Sequence, residues 1–261
     1  MTKIFQQPLW GYELDLPEGW HHRRLGNKDG FTPDPRAFQT GYEGETLAQL
    51  LIQGEWNSLR KPAEQLWNQH LGRTSLLLGA KNIGTARWKM AGAVGYEAEI
   101  VLPKKNRQRM WAGMLEKEEL VLEFFVLHWK EKRKEMEPLI SKIISSLRLI
   151  PSAENLEWTP EEIPLPPDSR PIPPTWVIDD IQDADRWRAY QGFFPPGALQ
   201  AFYLRELPHS EWTVTSYIPF PNRVGLPFAY LKLKKEGETQ TLGLLPGSED
   251  QPWSSIVIKR S

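Results

Sequence analysis

The sequence predicts an α+β protein of two domains, each an antiparallel sheet packed with helices. Two observations carry this prediction. Alternating strand patterns and an amphipathic helix occur together in both halves of the 261-residue chain. Between the halves, eight prolines fall within the 24 residues 151–174, and proline is excluded from helix interiors and central strands. We therefore predict a domain at 1–150, a stiff proline-rich linker at 151–175 and a smaller module at 176–261.

The first 90 residues contain weaker signals. The pattern predicts strands or hairpins over residues 12–16, 47–56 and 76–90. The polar stretch 23–46 is rich in glycine and proline and predicts a long irregular loop. Pro62 begins a predicted helix that Gly72 ends.

The clearest patterning follows. It predicts an antiparallel meander over residues 93–102, 109–116 and 120–129. The last of these strands is apolar on both faces apart from Glu123 and His128, so we expect it to be central, with both sides covered. An amphipathic helix is predicted from about Lys134 to before Pro151.

The residue pattern of the second half predicts a strand, a helix and a four-stranded meander. The predicted ranges are 186–193 for the first strand, 195–207 for the helix, and 212–218, 228–234, 239–245 and 254–259 for the meander. A proline pair at the start of the helix and Pro208 after it set the helix limits.

Composition excludes several classes of site. The chain has no cysteine, so disulfides, thiol catalysis and thiolate metal sites are excluded. The first ten residues contain no apolar signal sequence, and no apolar stretch reaches membrane-spanning length. We therefore expect a cytoplasmic protein with no membrane span.

The net charge of −1 conceals an uneven distribution. Residues 1–150 carry +4 and residues 186–261 carry +3, whereas residues 151–185 hold one arginine and nine acids. Such an acidic linker repels a nucleic-acid backbone. Basic groups near Trp111 and Trp129 raise the nucleic-acid alternative, but no recognised nucleic-acid-binding signature accompanies them. We do not expect a nucleic-acid partner.

Three features of the first half resemble the PsbP/DcrB-like superfamily. They are the opening strand Tyr12-Glu-Leu-Asp-Leu-Pro-Glu-Gly-Trp20, the hydrophobic strand 120–129, and the final helix running into Ser145-Ser146-Leu147-Arg148-Leu149. The resemblance covers about residues 1–150 and implies a curved antiparallel sheet between helices, with a binding or assembly role in place of catalysis. It carries over no functional residue, because no binding motif matches residue by residue.

Eight basic side chains are predicted to cluster at one end of the first sheet. They follow the strands 93–102 and 120–129: Lys104, Lys105, Arg107, Arg109, Lys130, Lys132, Arg133 and Lys134. Neighbouring antiparallel strands reverse direction, so both groups emerge at the same end. The cluster is a candidate surface for an acidic protein partner or for the chain's own acidic linker. The alternative is a solvated sheet rim.

Trp158 and Trp176 flank the proline-rich segment, in a chain with twelve tryptophans. Tryptophan is enriched at binding hot spots. Either these two side chains attach the linker to a domain face, or they form a segment that binds a partner. We count both among the candidate partner-binding residues.

The histidines have simpler explanations than metal binding or catalysis. His21 and His22 are adjacent in a predicted turn with no spaced carboxylate, so we expect a solvated turn. We expect His70 and His128 to be hydrogen-bonded core residues. No motif for nucleotide binding, serine hydrolysis or zinc binding occurs in the sequence, so we expect neither a cofactor nor a metal.

These observations lead us to predict a non-enzymatic protein-binding, chaperone or assembly-factor protein. One alternative is a hydrolytic or small-molecule-binding enzyme whose site lies at the domain junction, built from residues remote in sequence. Another is a structural subunit of a larger assembly.

Overall fold

The computed structural model describes residues 2–25, 27–39, 48–78, 81–90, 93–102, 108–222, 224–247 and 253–260, with the backbone alone for 75–78, 82–83 and 88–90. The chain divides into two compact units. The first comprises Met1–Gln6 and Tyr12–Leu149, and the second comprises Gln7–Gly11 and Ile150–Ser261. Both contain antiparallel sheets and helices, which confirms the predicted α+β class.

The first unit is built on a seven-stranded antiparallel sheet. The strands of this unit are β1 (Thr2–Gln7), β2 (Tyr12–Pro17), β3 (His21–Leu25), β4 (Lys28–Thr32), β5 (Ala48–Trp56), β6 (Lys81–Met90), β7 (Ala93–Val101), β8 (Gln108–Lys117), β9 (Leu120–Trp129) and β10 (Arg148–Leu149). The large sheet has the order β3-β4-β5-β9-β8-β7-β6, and β1-β2-β10 form a small one. The predicted central strand, β9, lies between β5 and β8, which confirms that prediction.

Two helices cover the two faces of β9: α1 (Ala63–Leu78) and α2 (Arg133–Ser145). Trp67 of α1 packs in one buried cluster with Val121 of β9. The next residue of the strand, Leu122, faces the other way and lines a small cavity with Leu147, just after α2. Because successive strand residues point to opposite faces, a strand covered on both sides is apolar at most positions, as β9 is apart from Glu123 and His128. Among the described residues, no helix is long and apolar enough to cross a membrane.

The stretch predicted as a long irregular loop contains a hairpin. Strands β3 and β4 pair antiparallel from His21 opposite Thr32 to Leu25 opposite Lys28, and β4 continues the large sheet by pairing with β5. The prediction was wrong because β3 is an edge strand with exposed polar side chains. Such a strand lacks the apolar alternation by which strands are recognised.

Helix α1 also continues past its predicted end. It runs through Gly72 to Leu78. Glycine inside a helix costs only about 1 kcal/mol relative to alanine. The neighbouring turns are held by tertiary packing, since His70 and Thr74 are both buried.

The second unit is built on a six-stranded antiparallel sheet. Its elements are β11 (Glu157–Trp158), β12 (Pro164–Leu165), β13 (Arg170–Ile172), β14 (Trp187–Gly192), α3 (Pro196–Glu206), β15 (Thr213–Ile218), β16 (Ala229–Lys235), β17 (Glu238–Leu245) and β18 (Ser254–Arg260). The sheet has the order β13-β14-β18-β17-β16-β15. The predicted helix and the predicted four-stranded meander are confirmed to within a few residues at their ends.

The two faces of this sheet differ in burial. Helix α3 contacts β17, and the fully buried Leu231, Leu242 and Ile258 pair across three neighbouring strands. We call the side that carries these three residues the inner face and the opposite side the outer face. Along β16 and β17 residues therefore alternate between a core position and the outer face, whereas residues 254–258 of β18 are all buried.

The proline-rich segment packs into the second unit. Ile163 and Leu165 are 0% and 5% exposed, and β13 pairs with β14 at the edge of the six-stranded sheet. The unit starts at Ile150, which differs from the predicted linker at 151–175 and the predicted module start at 176. Prolines exclude a helix, but they leave an extended chain free to bury apolar side chains and to pair as an edge strand. Separate folding of the two units stays a prediction.

The short turn Gln7–Gly11 also belongs to the second unit. The guanidinium group of Arg205 in α3 donates hydrogen bonds to the carbonyl oxygens of Pro8 and Leu9. Gly11 has a φ of +69°, and a Cβ at this position would lie 2.0 Å from a guanidinium nitrogen of Arg205. Glycine is favoured there, because a side chain would be strained by the left-handed backbone and would displace the guanidinium group of Arg205.

Candidate functional site

The predicted basic cluster is only partly within the described chain. Three of its members lie outside the described residues: Lys104, Lys105 and Arg107. Arg109 lies near the start of β8, opposite His128, and Lys130 directly follows β9. Because β8 and β9 are antiparallel, Arg109 and Lys130 lie at the same end of the sheet, as the strand order predicts.

Carboxylates neutralise part of this cluster. Lys132 forms an ion pair of 3.0 Å with Glu135. Arg133 forms one of 2.9 Å with Glu137, and this hydrogen bond raises the pKa of Arg133. Ion pairing therefore leaves the described part of the cluster with less positive charge than a count of its lysines and arginines suggests. Partner binding at this surface, to which Lys134 also belongs, stays a prediction.

Trp158 and Trp176 are both exposed. Trp158 lies on β11, which pairs with β12 in a two-stranded hairpin, and its exposed fraction is 49%. Trp176 ends a short 3-10 helix and is 71% exposed. Neither side chain is fully buried, and both sequence hypotheses, attachment of the segment and partner binding, stay predictions.

Polar contacts hold the start of the proline-rich segment. The hydroxyl of Ser152 donates to Glu206 Oε2 at 2.6 Å, and the backbone N–H of Ala153 donates to Glu206 Oε1 at 2.9 Å. Glu206 also receives Arg205 Nε at 2.6 Å. A carboxylate that is 1% exposed is thus fully bonded, and it connects the segment to the end of α3.

Two consecutive glutamates anchor the middle of the segment to the sheet. Glu162 pairs with Lys235 of β16 at 2.5 Å, and this hydrogen bond raises the pKa of Lys235. Glu161 lies 3.9 Å from Arg188 and 3.8 Å from Arg260. The acidic composition of the segment is therefore explained in part by cations of its own unit.

A buried group of charged residues lies in the first unit. Glu123 of β9 is 3% exposed, and His70 of α1 is 1% exposed. His70 Nδ1 and Arg73 Nη2 lie 2.9 and 2.6 Å from Glu123 Oε1, and Arg73 also pairs with Glu55 at 3.1 Å. Among the described residues, His70 Nε2 has no hydrogen-bond partner.

The pKa of Glu123 reflects a balance of opposed effects. Burial alone raises it, because removal from water disfavours the charged form. The hydrogen bond with His70 and the charges of His70, Arg73 and Lys28 outweigh burial, so the pKa of Glu123 is below the ordinary value. These partners favour the charged form of a carboxylate that lies inside the core.

A second buried carboxylate lies near the edge of the same unit. Asp29 accepts a hydrogen bond of 2.8 Å from the hydroxyl of Tyr12 and lies 2.8 Å from His22 Nε2. Burial and the neighbouring Asp29 raise the pKa of Tyr12 well above its ordinary value. The rings of Phe5 and Phe31 pack against His22 at 4.4 and 5.2 Å. His21 and His22 are exposed, as predicted, but they lie on strand β3 and not in a turn.

The predictions for His70 and His128 are confirmed. His128 is 2% exposed, and its Nδ1 lies 2.8 Å from the carbonyl oxygen of Trp129. His70 is bonded to Glu123 as described above. Within the described residues, no group of three or more histidine and carboxylate side chains could hold a metal ion.

Sequence reasoning missed Asp29 and Glu161. The only local signal for the first was the Gly-Asn pair at 26–27, which is typical of a hairpin turn and was obscured by polar surroundings. The second lies among prolines and acids, where nothing distinguishes a buried glutamate from an exposed one.

Comparisons with known proteins find structural similarity alone. No protein-family model and no curated protein sequence matches this chain. Among solved structures, PsbP from the cyanobacterium Synechocystis sp. PCC 6803 matches with 14% identity and a TM-score of 0.45, over 57% of this chain and 92% of that protein. The Ran-binding protein Mog1p of Saccharomyces cerevisiae matches with 10% identity and a TM-score of 0.39, over 57% of this chain and 96% of that protein.

A third match extends over both units. A structure from Bacteroides thetaiotaomicron covers 94% of this chain and 87% of its own length, with 11% identity and a TM-score of 0.39. The first two matches name proteins of the kind that the sequence resemblance suggested. At these TM-scores and identities, the three similarities assign neither a family nor a function to this chain.

Proposed function

We propose that this chain is a non-enzymatic protein-binding module that acts as a chaperone or assembly factor and holds its partner through Trp158 and Trp176. One observation carries the proposal. Both indole side chains are exposed, at 49% and 71%, on a segment whose apolar residues Ile163 and Leu165 are buried. The segment packs into the second unit through its buried residues, whereas the two tryptophan side chains remain exposed and can contact a partner protein.

The free energy available at these side chains is large. A tryptophan buries about 150–250 Å² when fully covered. Covering a further 100 Å² or so of each ring gains roughly 2–3 kcal/mol per side chain at about 25 cal/mol per Å². Tryptophan loses little conformational entropy when it is bound, which is why it is enriched among the residues that dominate interface energies.

Three buried groups, Glu123, His70 and Glu206, have structural bonding partners, which supports a binding role over catalysis. Glu123 and His70 are buried in the core, where they bond to each other. Glu206 binds backbone and side-chain donors of its own unit. Each of these carboxylates has a structural partner that accounts for its position.

The proposal is tested by affinity capture with the double variant Trp158→Ala/Trp176→Ala. Wild-type and variant chains serve as baits in an extract of the native host, and the captured proteins are identified by mass spectrometry. We expect a specific partner to bind the wild type and to be reduced at least tenfold with the variant, because the loss of two hot spots of about 1 kcal/mol or more exceeds 1.4 kcal/mol. The interaction is then measured with the purified partner.

The matched control is Ile4→Ala/Val224→Ala, which truncates two other apolar side chains with exposures of 62% and 71%. We expect the control to retain the partner and both double variants to keep the wild-type melting temperature. Capture of the same proteins by the tryptophan variant and the wild type would contradict the proposal.

A further inference from the structure

The outer face of the six-stranded sheet carries three lysines. Alternation along β16 puts Lys232 and Lys234 opposite in direction to the buried Leu231. Lys259 of β18 shares their face, because Lys232 and Lys259 both pair with Thr241 of β17. The strands of this sheet, all of which are described, place no aspartate or glutamate on that face.

These residues form a compact surface. We call it the lysine face, and it comprises Trp187, Tyr230, Lys232, Lys234, Thr241 and Lys259. Residues two apart on a strand are separated by about 7 Å, and strands two apart by about 10 Å. The three ammonium groups therefore rise from one small patch, and Lys259 Nζ lies 4.9 Å from the ring centre of Trp187.

The inner side of the same sheet shows a contrasting arrangement. Its cations Arg188, Lys235 and Arg260 each have a carboxylate within 4.0 Å, supplied by Glu161 or Glu162. Throughout the described part of the chain, no carboxylate lies within 4.0 Å of any of the three lysines of the lysine face. The acidic proline-rich segment thus supplies carboxylate partners to the inner side of the sheet.

We propose that the lysine face binds an acidic peptide segment of the protein partner. The inference rests on the proposed function, because it takes the partner to be a protein, and it adds the chemistry of the segment that is recognised. Like charges this close together repel one another, and an anionic ligand relieves that repulsion.

The geometry favours an extended peptide. In an extended chain, alternate side chains point the same way and lie about 7 Å apart, which matches the spacing of Lys232 and Lys234. Two alternate carboxylates can therefore pair with both lysines at once. The inner side shows that cations of this sheet do take carboxylate partners, since Glu161 and Glu162, in the turn between β11 and β12, lie within 4.0 Å of Arg188 and Lys235.

The charge of the second unit argues against a long polyanion. Residues 150–261 hold ten basic and fifteen acidic side chains, a net charge of −5. Affinity for nucleic acid depends on extended positive charge, so the field of this unit repels a nucleic-acid backbone. A short peptide in direct contact with the lysine face lies within a screening length of about 8–10 Å and responds to the local charge.

The test is fluorescence anisotropy with the full chain and a labelled peptide of alternating glutamate and threonine. A peptide with glutamine in place of glutamate is the neutral probe. We expect the acidic peptide to bind, the neutral peptide not to bind, and affinity for the acidic peptide to fall as salt is added. We expect Lys232→Gln/Lys259→Gln to weaken binding roughly tenfold, the combined effect of two exposed charge contacts.

The matched control is Lys3→Gln/Lys142→Gln, which removes two exposed lysines from the first unit. We expect this variant to bind the acidic peptide within about twofold of the wild type. Thermal melts check that both variants fold. Equal weakening by the two variants, equal binding of the two peptides, or no binding at all would overturn the inference.

Two further probes test the class of partner. A single-stranded oligonucleotide of equal charge, or an anionic vesicle, that bound the lysine face more tightly than the peptide would overturn the choice of a peptide. A lysine face that does not bind the acidic peptide can be distinguished from failure of the proposed function. The variant Trp158→Ala/Trp176→Ala leaves the lysine face intact, so we expect it to lose the native partner while it still binds the acidic peptide.

Discussion

Two glutamates, one in each unit, are buried to a similar extent but are held differently. Glu123 in the first unit is 3% exposed, and Glu161 in the second is 8% exposed. Glu123 Oε1 has His70 and Arg73 at 2.9 and 2.6 Å. Neither carboxylate oxygen of Glu161 has a hydrogen-bond partner among the described residues.

The difference shows what a buried charge requires. Both carboxylates lose water, but only Glu123 receives short bonds in return. The cations nearest to Glu161, Arg188 and Arg260, are 3.9 and 3.8 Å away and have side chains 40% and 52% exposed, so solvent screens their attraction. We infer that Glu123 is a structural requirement of its unit and that Glu161 is tolerated by its unit.

The largest expected effect comes from removal of a partner of Glu123. We expect His70→Ala to lower the free energy of unfolding of the first unit by about 3–5 kcal/mol, because it leaves a buried carboxylate under-bonded and opens a cavity beside Phe125. Urea titration, followed by hydrogen exchange of the amides of β9, measures the loss of stability and shows that it occurs in the first unit. The control His21→Ala, at an exposed position, should change stability by less than about 0.5 kcal/mol.

A more specific test changes the charge of Glu123 and keeps its shape. We expect Glu123→Gln to destabilise the first unit by about 2 kcal/mol at neutral pH, through loss of charged hydrogen bonds. Because the pKa of Glu123 is lower in the folded state than the ordinary 4.5, its stabilisation is complete above 4.5 and is lost as the pH falls through the folded-state pKa.

The stability difference between wild type and Glu123→Gln should therefore be constant near neutral pH and should shrink as the pH falls below the ordinary 4.5 and through the lowered pKa of Glu123. Urea titrations at a series of pH values measure it. An identical difference at neutral and acidic pH would show that the charge of Glu123 is not what stabilises the unit.

The smallest effect is expected at Glu161. We expect Glu161→Gln to change the stability of the second unit by less than about 1 kcal/mol, in either direction, because no hydrogen bond is lost and the desolvation of a charge is relieved. Urea titration with hydrogen exchange in β18 measures the change. A loss as large as that of Glu123→Gln would remove the distinction between the two carboxylates. Glu162→Gln, whose side chain is 69% exposed, is the control.

Prediction from sequence succeeded where one face of an element is strongly apolar. Strand β9 is found at its predicted limits and in its predicted central position, and α2 begins one residue before Lys134. It failed at β3, where exposed polar side chains give no periodic signal. The proline-rich segment was predicted to be extended, but its composition does not indicate whether it is exposed to solvent or packed against a folded unit.

The candidate sites show the same limit. Sequence singled out Trp158 and Trp176 by their position, and His70 and Glu123 as polar residues in apolar elements. Their exposure and pairing came only from the fold, because a contact across 53 positions of the chain depends on how α1 packs against β9. The lysine face was hidden for a similar reason, since Lys232 and Lys259 are brought together by strand register.

The amino-acid sequence alone determined where most strands and helices form and which residues of each must be buried, because local periodicity depends only on neighbouring side chains. It also determined the absence of thiol chemistry. The tertiary structure decided which buried carboxylate is bonded and which is not, which cations are neutralised, and that the proline-rich segment is part of a folded unit. Each of these depends on distances between residues remote in sequence, and those distances are set by packing and strand pairing.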